Sequence, residues 1–184
     1  SAVEKGDTDK IAELKGYGAD LTATNSDKRT PLHIACSLGN IKVVKYLLLN
    51  GASVHMKDRF DQTPLLDAIK SDHHEVIKLL KRCGAHLTLT PNQIGCQLCR
   101  AASYGNMKRL QSLQAAGANL SQPDISGRTS LHLAAMHNHE EIVKFLLASG
   151  VSAKSKDLMG ITPLDMAEKM NHTEIVKLLK SAKQ

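Results

Sequence analysis

The chain has 184 residues, a net charge of +6 and a pI near 9.2. Of these residues 42% are hydrophobic but only 3% aromatic, and Trp is absent; a core must therefore be built from Leu, Ile, Val and Ala, which suit packed helices. No apolar run approaches the roughly 18 residues needed to cross a bilayer, and the four cysteines are few for a disulfide framework, so a reducing compartment, the cytoplasm, is expected.

In chain order, Ser1 to Lys10 lacks the charged-then-apolar pattern of a signal peptide, and 1–24 reads as a partial unit. Thr30-Pro31-Leu32-His33 then opens a helix, with Thr as N-cap candidate and Pro at the first helical position, where its missing N–H costs nothing. That helix carries the small Ala35 and stops at Gly39. A second helix has apolar residues at three- and four-residue spacing, Val43, Val44, Leu47 and Leu48, and Gly51-Ala52 ends it. Ser53 to Gln62 is polar and turn-like, a hairpin finger.

The same order recurs to the end of the chain. Steps of 33 residues from Ala2 reach Ala35, Ala68, Ala101, Ala134 and Ala167. Steps from Leu14 reach Leu47, Leu80, Leu113, Leu146 and Leu179, and the Leu32 and Gly18 series keep the same spacing. The stop slot holds Gly6, Gly39, Asp72, Gly105, Asn138 and Asn171, all tolerant of a left-handed helix cap. One helix pair cannot bury its apolar face alone, so neighbouring units must supply the core.

The period and the run Thr30 to Ala35 (T-P-L-H-x-A) resemble the ankyrin family, with weaker versions at Thr63 to Ala68, Thr129 to Ala134 and Thr162 to Ala167. The resemblance implies an all-α solenoid of stacked helix-turn-helix units with projecting fingers. It sets a single array of five repeats, 25–57, 58–90, 91–123, 124–156 and 157–184, after the partial unit 1–24. The repeat 91–123 departs from the pattern. Cys96-Gln97-Leu98-Cys99 replaces T-P-L-H, Pro91 replaces the usual Asp or Asn, and Ile94 replaces the finger Gly, so a loosened finger is expected there. The run His73 to Leu80, followed by Gly84-Ala85-His86-Leu87, Leu98-Cys99-Arg100 and Gly117-Ala118-Asn119-Leu120, also resembles the ankyrin tail of animal cytosolic asparaginases. That likeness implies a non-catalytic appendage of an amidohydrolase.

No residue set here argues for catalysis. The pair Cys96 and Cys99 could mean zinc or redox work, but no second pair lies at metal spacing, and both occupy scaffold slots. They read as small buried groups replacing a Thr–His hydrogen bond. His33 and His132 fall in the ankyrin H slot, and His73, His139 and His172 share the slot after the helix stop; both sets read as structural. Lys45, Lys78, Lys144 and Lys177 share an outer slot, and Glu75, Glu141 and Glu174 lie three residues before the last three. Such pairs mark a solvated face rather than a nucleic-acid surface. No cofactor, metal, nucleic acid, membrane insertion or small-molecule substrate is expected.

The ankyrin resemblance implies that partners lie against finger tips and the exposed end of each inner helix. Apolar groups that the scaffold does not need occupy those slots at Leu38, Phe60, Tyr104, Ile125, Met136, Leu158, Met159 and Met170, rimmed by Arg59, Arg128 and His137. Exposed apolar groups with Arg and aromatic anchors suit protein recognition. The expected occupant is a protein partner or an attached domain of the same polypeptide.

Overall fold

The computed structural model describes residues 1–182. Every regular element among them is a helix, and the chain divides into two compact units, one spanning Ser1–Thr88 and one beginning at Leu89.

Unit 1 holds three antiparallel helix pairs: α1 (Ala2–Lys5) with α2 (Thr8–Gly16), α3 (Pro31–Ser37) with α4 (Ile41–Leu49), and α5 (Pro64–Lys70) with α6 (His74–Arg82). Inner helices stack on inner helices, α1 on α3 and α3 on α5, while α2, α4 and α6 stack behind them. Unit 2 repeats the plan with α7 (Pro91–Ser103), α8 (Met107–Ala115), α9 (Ser130–Met136), α10 (Glu140–Ala148), α11 (Pro163–Lys169) and α12 (Thr173–Ser181). The all-helical repeat architecture expected from the sequence is therefore present in each unit.

The periodic positions explain the stacking. Ala35, Ala68, Ala101, Ala134 and Ala167 are all buried, so inner helices approach where no larger side chain stands. Leu47, Leu80, Leu113 and Leu146 are sealed from solvent and Leu179 nearly so, each contributing roughly 1.5–3 kcal/mol of apolar burial. Leu14 departs from its series at 41% exposure. Its helix comes from the shortest pair, whose inner partner has four residues and buries none of them. All six stop-slot residues adopt positive φ, from Asp72 at 56° to Gly39 at 72°.

Within each unit, the histidines tie one repeat to the next. His33 Nδ1 accepts from the Thr30 amide at 3.2 Å, and its Nε2–H donates to the Gln62 carbonyl at 3.0 Å. His132 repeats this with Thr129 at 3.0 Å and Ile161 at 3.0 Å. Because a carbonyl only accepts, both rings must carry the proton on Nε2. His73, His139 and His172 donate to the carbonyls of Ser37, Ser103 and Ala135. These five are scaffold groups.

Burial holds His132 below its ordinary pKa of 6.5, outweighing the Ile161 carbonyl and the Asp157 and Asp124 carboxylates, which favour the charged ring. The unfolded chain therefore takes up a proton that the folded ring refuses. Stability is full above the unfolded value and falls as pH drops from 6.5 toward the lowered folded value. Denaturant melts across that window should show this slope, and His132→Gln should flatten it. An unchanged slope in the variant would assign the effect to another group.

Candidate partner-binding surface

The fingers are built by one side-chain device. Asn25 Oδ1 accepts from the amides of Asp27 and Arg29, and Asp58 Oδ1 from those of Phe60 and Gln62. In unit 2, Asp124 does the same for Ser126 and Arg128, and Asp157 for Met159 and Ile161. These side chains replace the turn partners that the backbone would otherwise lack. Adjacent tips then share a backbone bond: Arg59 N–H donates to the Asp27 carbonyl in unit 1, and Leu158 N–H to the Ser126 carbonyl in unit 2.

At 91–97 the device is missing, and the outcome corrects the expectation of a loosened finger. Proline has no side-chain acceptor with which to fold a tip, but it suits the first turn of a helix. Thr90 caps that turn, accepting from the Gln93 amide at 3.3 Å, while Gln93 Oε1 accepts from the Thr90 amide at 2.9 Å. α7 consequently runs 13 residues, where α3, α5, α9 and α11 each run 7. Asn92, Gln93 and Gly95 lie on this helix and not on a tip. Cys96 is exposed, contrary to its expected burial, because it stands mid-helix on the open side. Cys99 is buried as expected, and it donates its S–H to the Arg128 carbonyl at 3.1 Å, where His33 and His132 donate to Gln62 and Ile161 in their own repeats. Burial pushes its pKa up to about 12, so it is a thiol with no nucleophilic character.

In unit 1, Leu38 caps α3 and is half exposed, and Phe60 sits on a tip at 60% exposure. Arg59 lies 4.8 Å over the Phe60 ring and pairs with Asp27 at 2.8 Å. In unit 2, Tyr104, His137 and Met170 cap α7, α9 and α11 from one repeat slot. Tyr104 and Ile125 are about three-quarters exposed, and Leu158 and Met159 are more exposed still. His137 is exposed, whereas Met136 is half-buried.

Three of these residues converge. Tyr104, Ile125 and Arg128 line an open groove of about 410 Å³ together with Arg100, Ser103 and Leu133. Met136, His137, Leu158, Met159 and Met170 do not line it. Leu38, Arg59 and Phe60 belong to unit 1.

Arg128 is held to Asp124 by Nε at 3.1 Å and Nη2 at 2.9 Å. Burial raises the Asp124 pKa, but bonds from the Arg128 side chain and from the Arg128 and Ser126 amides outweigh it, leaving the carboxyl below its ordinary value. Arg29, in the same repeat slot of unit 1, pairs instead with Asp67 on α5 at 2.8 Å. Met166 fills the matching place on α11, so Arg128 turns back to its own finger.

The sequence reading did not single out Arg100 or Leu133 as site residues. They share the x slot of the T-P-L-H-x-A pattern with Ile34, Asp67 and Met166, and that slot's charge at Arg100 was the available signal. Tyr17 and Leu49, at 82% and 87% exposure, lie outside the expected stripe, so exposure alone does not define a site. Among the described residues no group of three or more His, Cys, Asp or Glu could hold a metal ion, and no helix is long and apolar enough to cross a membrane.

The family profile described as "Ankyrin repeats (3 copies)" matches residues 1–90 and 98–184, and the chain belongs to the ankyrin-repeat family. The stretch between the two matches coincides with the finger that α7 absorbs. Among solved structures, the ankyrin-repeat domain of human ASB11 is similar with a TM-score of 0.71 at 25% identity, covering 100% of this chain and 82% of that one. An L-asparaginase of Dirofilaria immitis is 38% identical over 69 residues, 38% of this chain and 12% of that protein. The potassium channel KOR1 of Oryza sativa subsp. japonica is 45% identical over 65 residues, 35% of this chain and 8% of the channel. The chain thus spans only a small fraction of these curated relatives. Ankyrin repeats are generally protein–protein interaction modules, and the fold is generally non-catalytic.

Proposed function

We propose that this chain is a non-catalytic interaction module that binds a partner protein through its finger tips and the exposed ends of its inner helices. The observation that supports this best is the exposure of Tyr104 and Ile125 in the lining of one groove. Neither is needed by the scaffold, while the backbone beneath each is fixed by helix or Asx-turn bonds. Apolar groups held rigidly in water favour association, because little ordering remains to oppose it. Four cysteines, all free thiols, fit a cytoplasmic setting.

The test is parallel affinity capture with the wild type and a Tyr104→Ala/Ile125→Ala variant. A partner retained by the first should bind the second at least tenfold more weakly, about 1.4 kcal/mol. The unfolding free energy should change by no more than about 0.5 kcal/mol, as for surface substitutions. Identical capture by both would sink this surface.

The Dirofilaria similarity favours a second reading, in which the chain is a regulatory or interdomain-packing tail of an asparaginase-like amidohydrolase. Sequencing the transcript upstream of the codon for Ser1 decides it. An amidohydrolase domain there supports this reading, and an unrelated sequence removes it.

A further inference from the structure

The unit 2 groove carries one cation that the fold does not use. Arg128 spends its guanidinium on Asp124, and Asp124 is itself occupied by that pair and by two finger amides. Arg100 is exposed on the groove wall, and among the described residues its side chain makes no hydrogen bond or ion pair. The outer-face lysines are different. Lys78, Lys144 and Lys177 each hold a glutamate within 3.0 Å.

No carboxylate near Arg100 in the sequence offsets its charge. From Leu89 to Pro123 the chain has three cations, Arg100, Lys108 and Arg109, and no carboxylate. A partner bearing positive charge would be repelled along this stretch, and an acidic one drawn to it.

The apolar part of the groove lies beside Arg100. Leu133 is 6% exposed, while Tyr104 at 76% and Ile125 at 74% stand clear of the scaffold. A planar guanidinium with unused donors, next to an aromatic ring and a branched aliphatic side chain, suits a carboxylate neighboured by an apolar group. The groove is open, which favours an extended segment over an enclosed small molecule.

We infer that this groove takes an extended acidic–apolar peptide of a partner protein. In that complex an Asp or Glu side chain pairs with Arg100, and a neighbouring aliphatic or aromatic side chain seats between Tyr104 and Ile125 over Leu133. This rests on the reading of the finger and inner-helix face as the partner surface and names the chemistry recognised there.

The test begins with random peptides displayed on phage and selected against the immobilised full chain. Selected peptides are synthesised with a fluorophore, and anisotropy is measured with the wild type, Arg100→Glu and Tyr104→Ala. The expected result is enrichment of Asp or Glu next to an apolar residue, with at least a tenfold loss on either substitution. Replacing the peptide carboxylate by Lys should restore binding to Arg100→Glu only. Thermal melts check folding, and Arg100→Gln serves as the neutral variant if the charge reversal destabilises the chain.

Neutral or basic peptides that depend on Tyr104 but not on Arg100 would overturn the acidic partner and leave the surface reading standing. Peptides indifferent to both substitutions, or no enrichment at all, would overturn both. Equal displacement by a single-stranded oligonucleotide and by the acidic peptide would mark an unselective polyanion patch and overturn the inference.

Discussion

Gly95→Ala should destabilise unit 2 by about 3 kcal/mol, at the upper end of the range for overpacking. Helix propensity alone predicts the opposite sign, since alanine is favoured over glycine inside a helix by roughly 0.5–1 kcal/mol. The contact decides the matter. A Cβ on Gly95 would overlap the carbonyl oxygen and carbon of Pro123. The methyl has no rotamer to escape through, so either α7 or the chain at Pro123–Asp124 must move. Asp124 anchors the finger that carries Ile125 and Arg128, so the groove should be lost with the stability. Helical circular dichroism through a denaturant titration would show the shift. A neutral or stabilising result would mean that α7 does not approach Pro123 this closely.

Leu113→Ala should cost about 2–5 kcal/mol, the range for emptying a fully enclosed leucine site. Leu113 is 0% exposed on α8, and the helix around it is amphipathic, with Leu110 one turn before it buried as well. The control is Leu14→Ala in the same repeat slot. At 41% exposure its loss should be a fraction of that at Leu113. Equal losses in denaturant melts would show that slot, rather than burial, sets the energetics.

Most of the scaffold was legible because it rests on period and small-residue placement. The alanine series marks where helices touch, and the stop slot marks where φ must turn positive. Both are properties of single residues and survive without tertiary information. What escaped the sequence depends on competition between two local signals. Thr90-Pro91 followed by Gln93 is a helix-start box, yet Pro91 also fills a finger slot, and the periodic frame favoured the finger. With no Asp side chain to fold a tip, the box prevails and the helix gains its extra turns. Leu14 escaped for another reason: its slot is apolar throughout, but a four-residue inner helix leaves it half covered. For the surface, the sequence singled out Tyr104, Ile125 and Arg128 by slot, and the structure places them in one groove. It could not reveal that Arg128 is neutralised within its own finger while Arg100 is not, since both read alike as arginine.

The absorbed finger has a consequence for how anything could dock along that edge. A hairpin tip can bond a neighbouring tip through its main chain, as Leu158 N–H does to the Ser126 carbonyl. A helix has already consumed those groups, and α7 through its capped first turn offers side chains alone. Whatever lies along it must be read by shape and charge, without a backbone ladder to enforce a single alignment. Selectivity there should therefore tolerate changes of strand direction and one-residue slips, while remaining intolerant of changes in the order of charged and greasy groups.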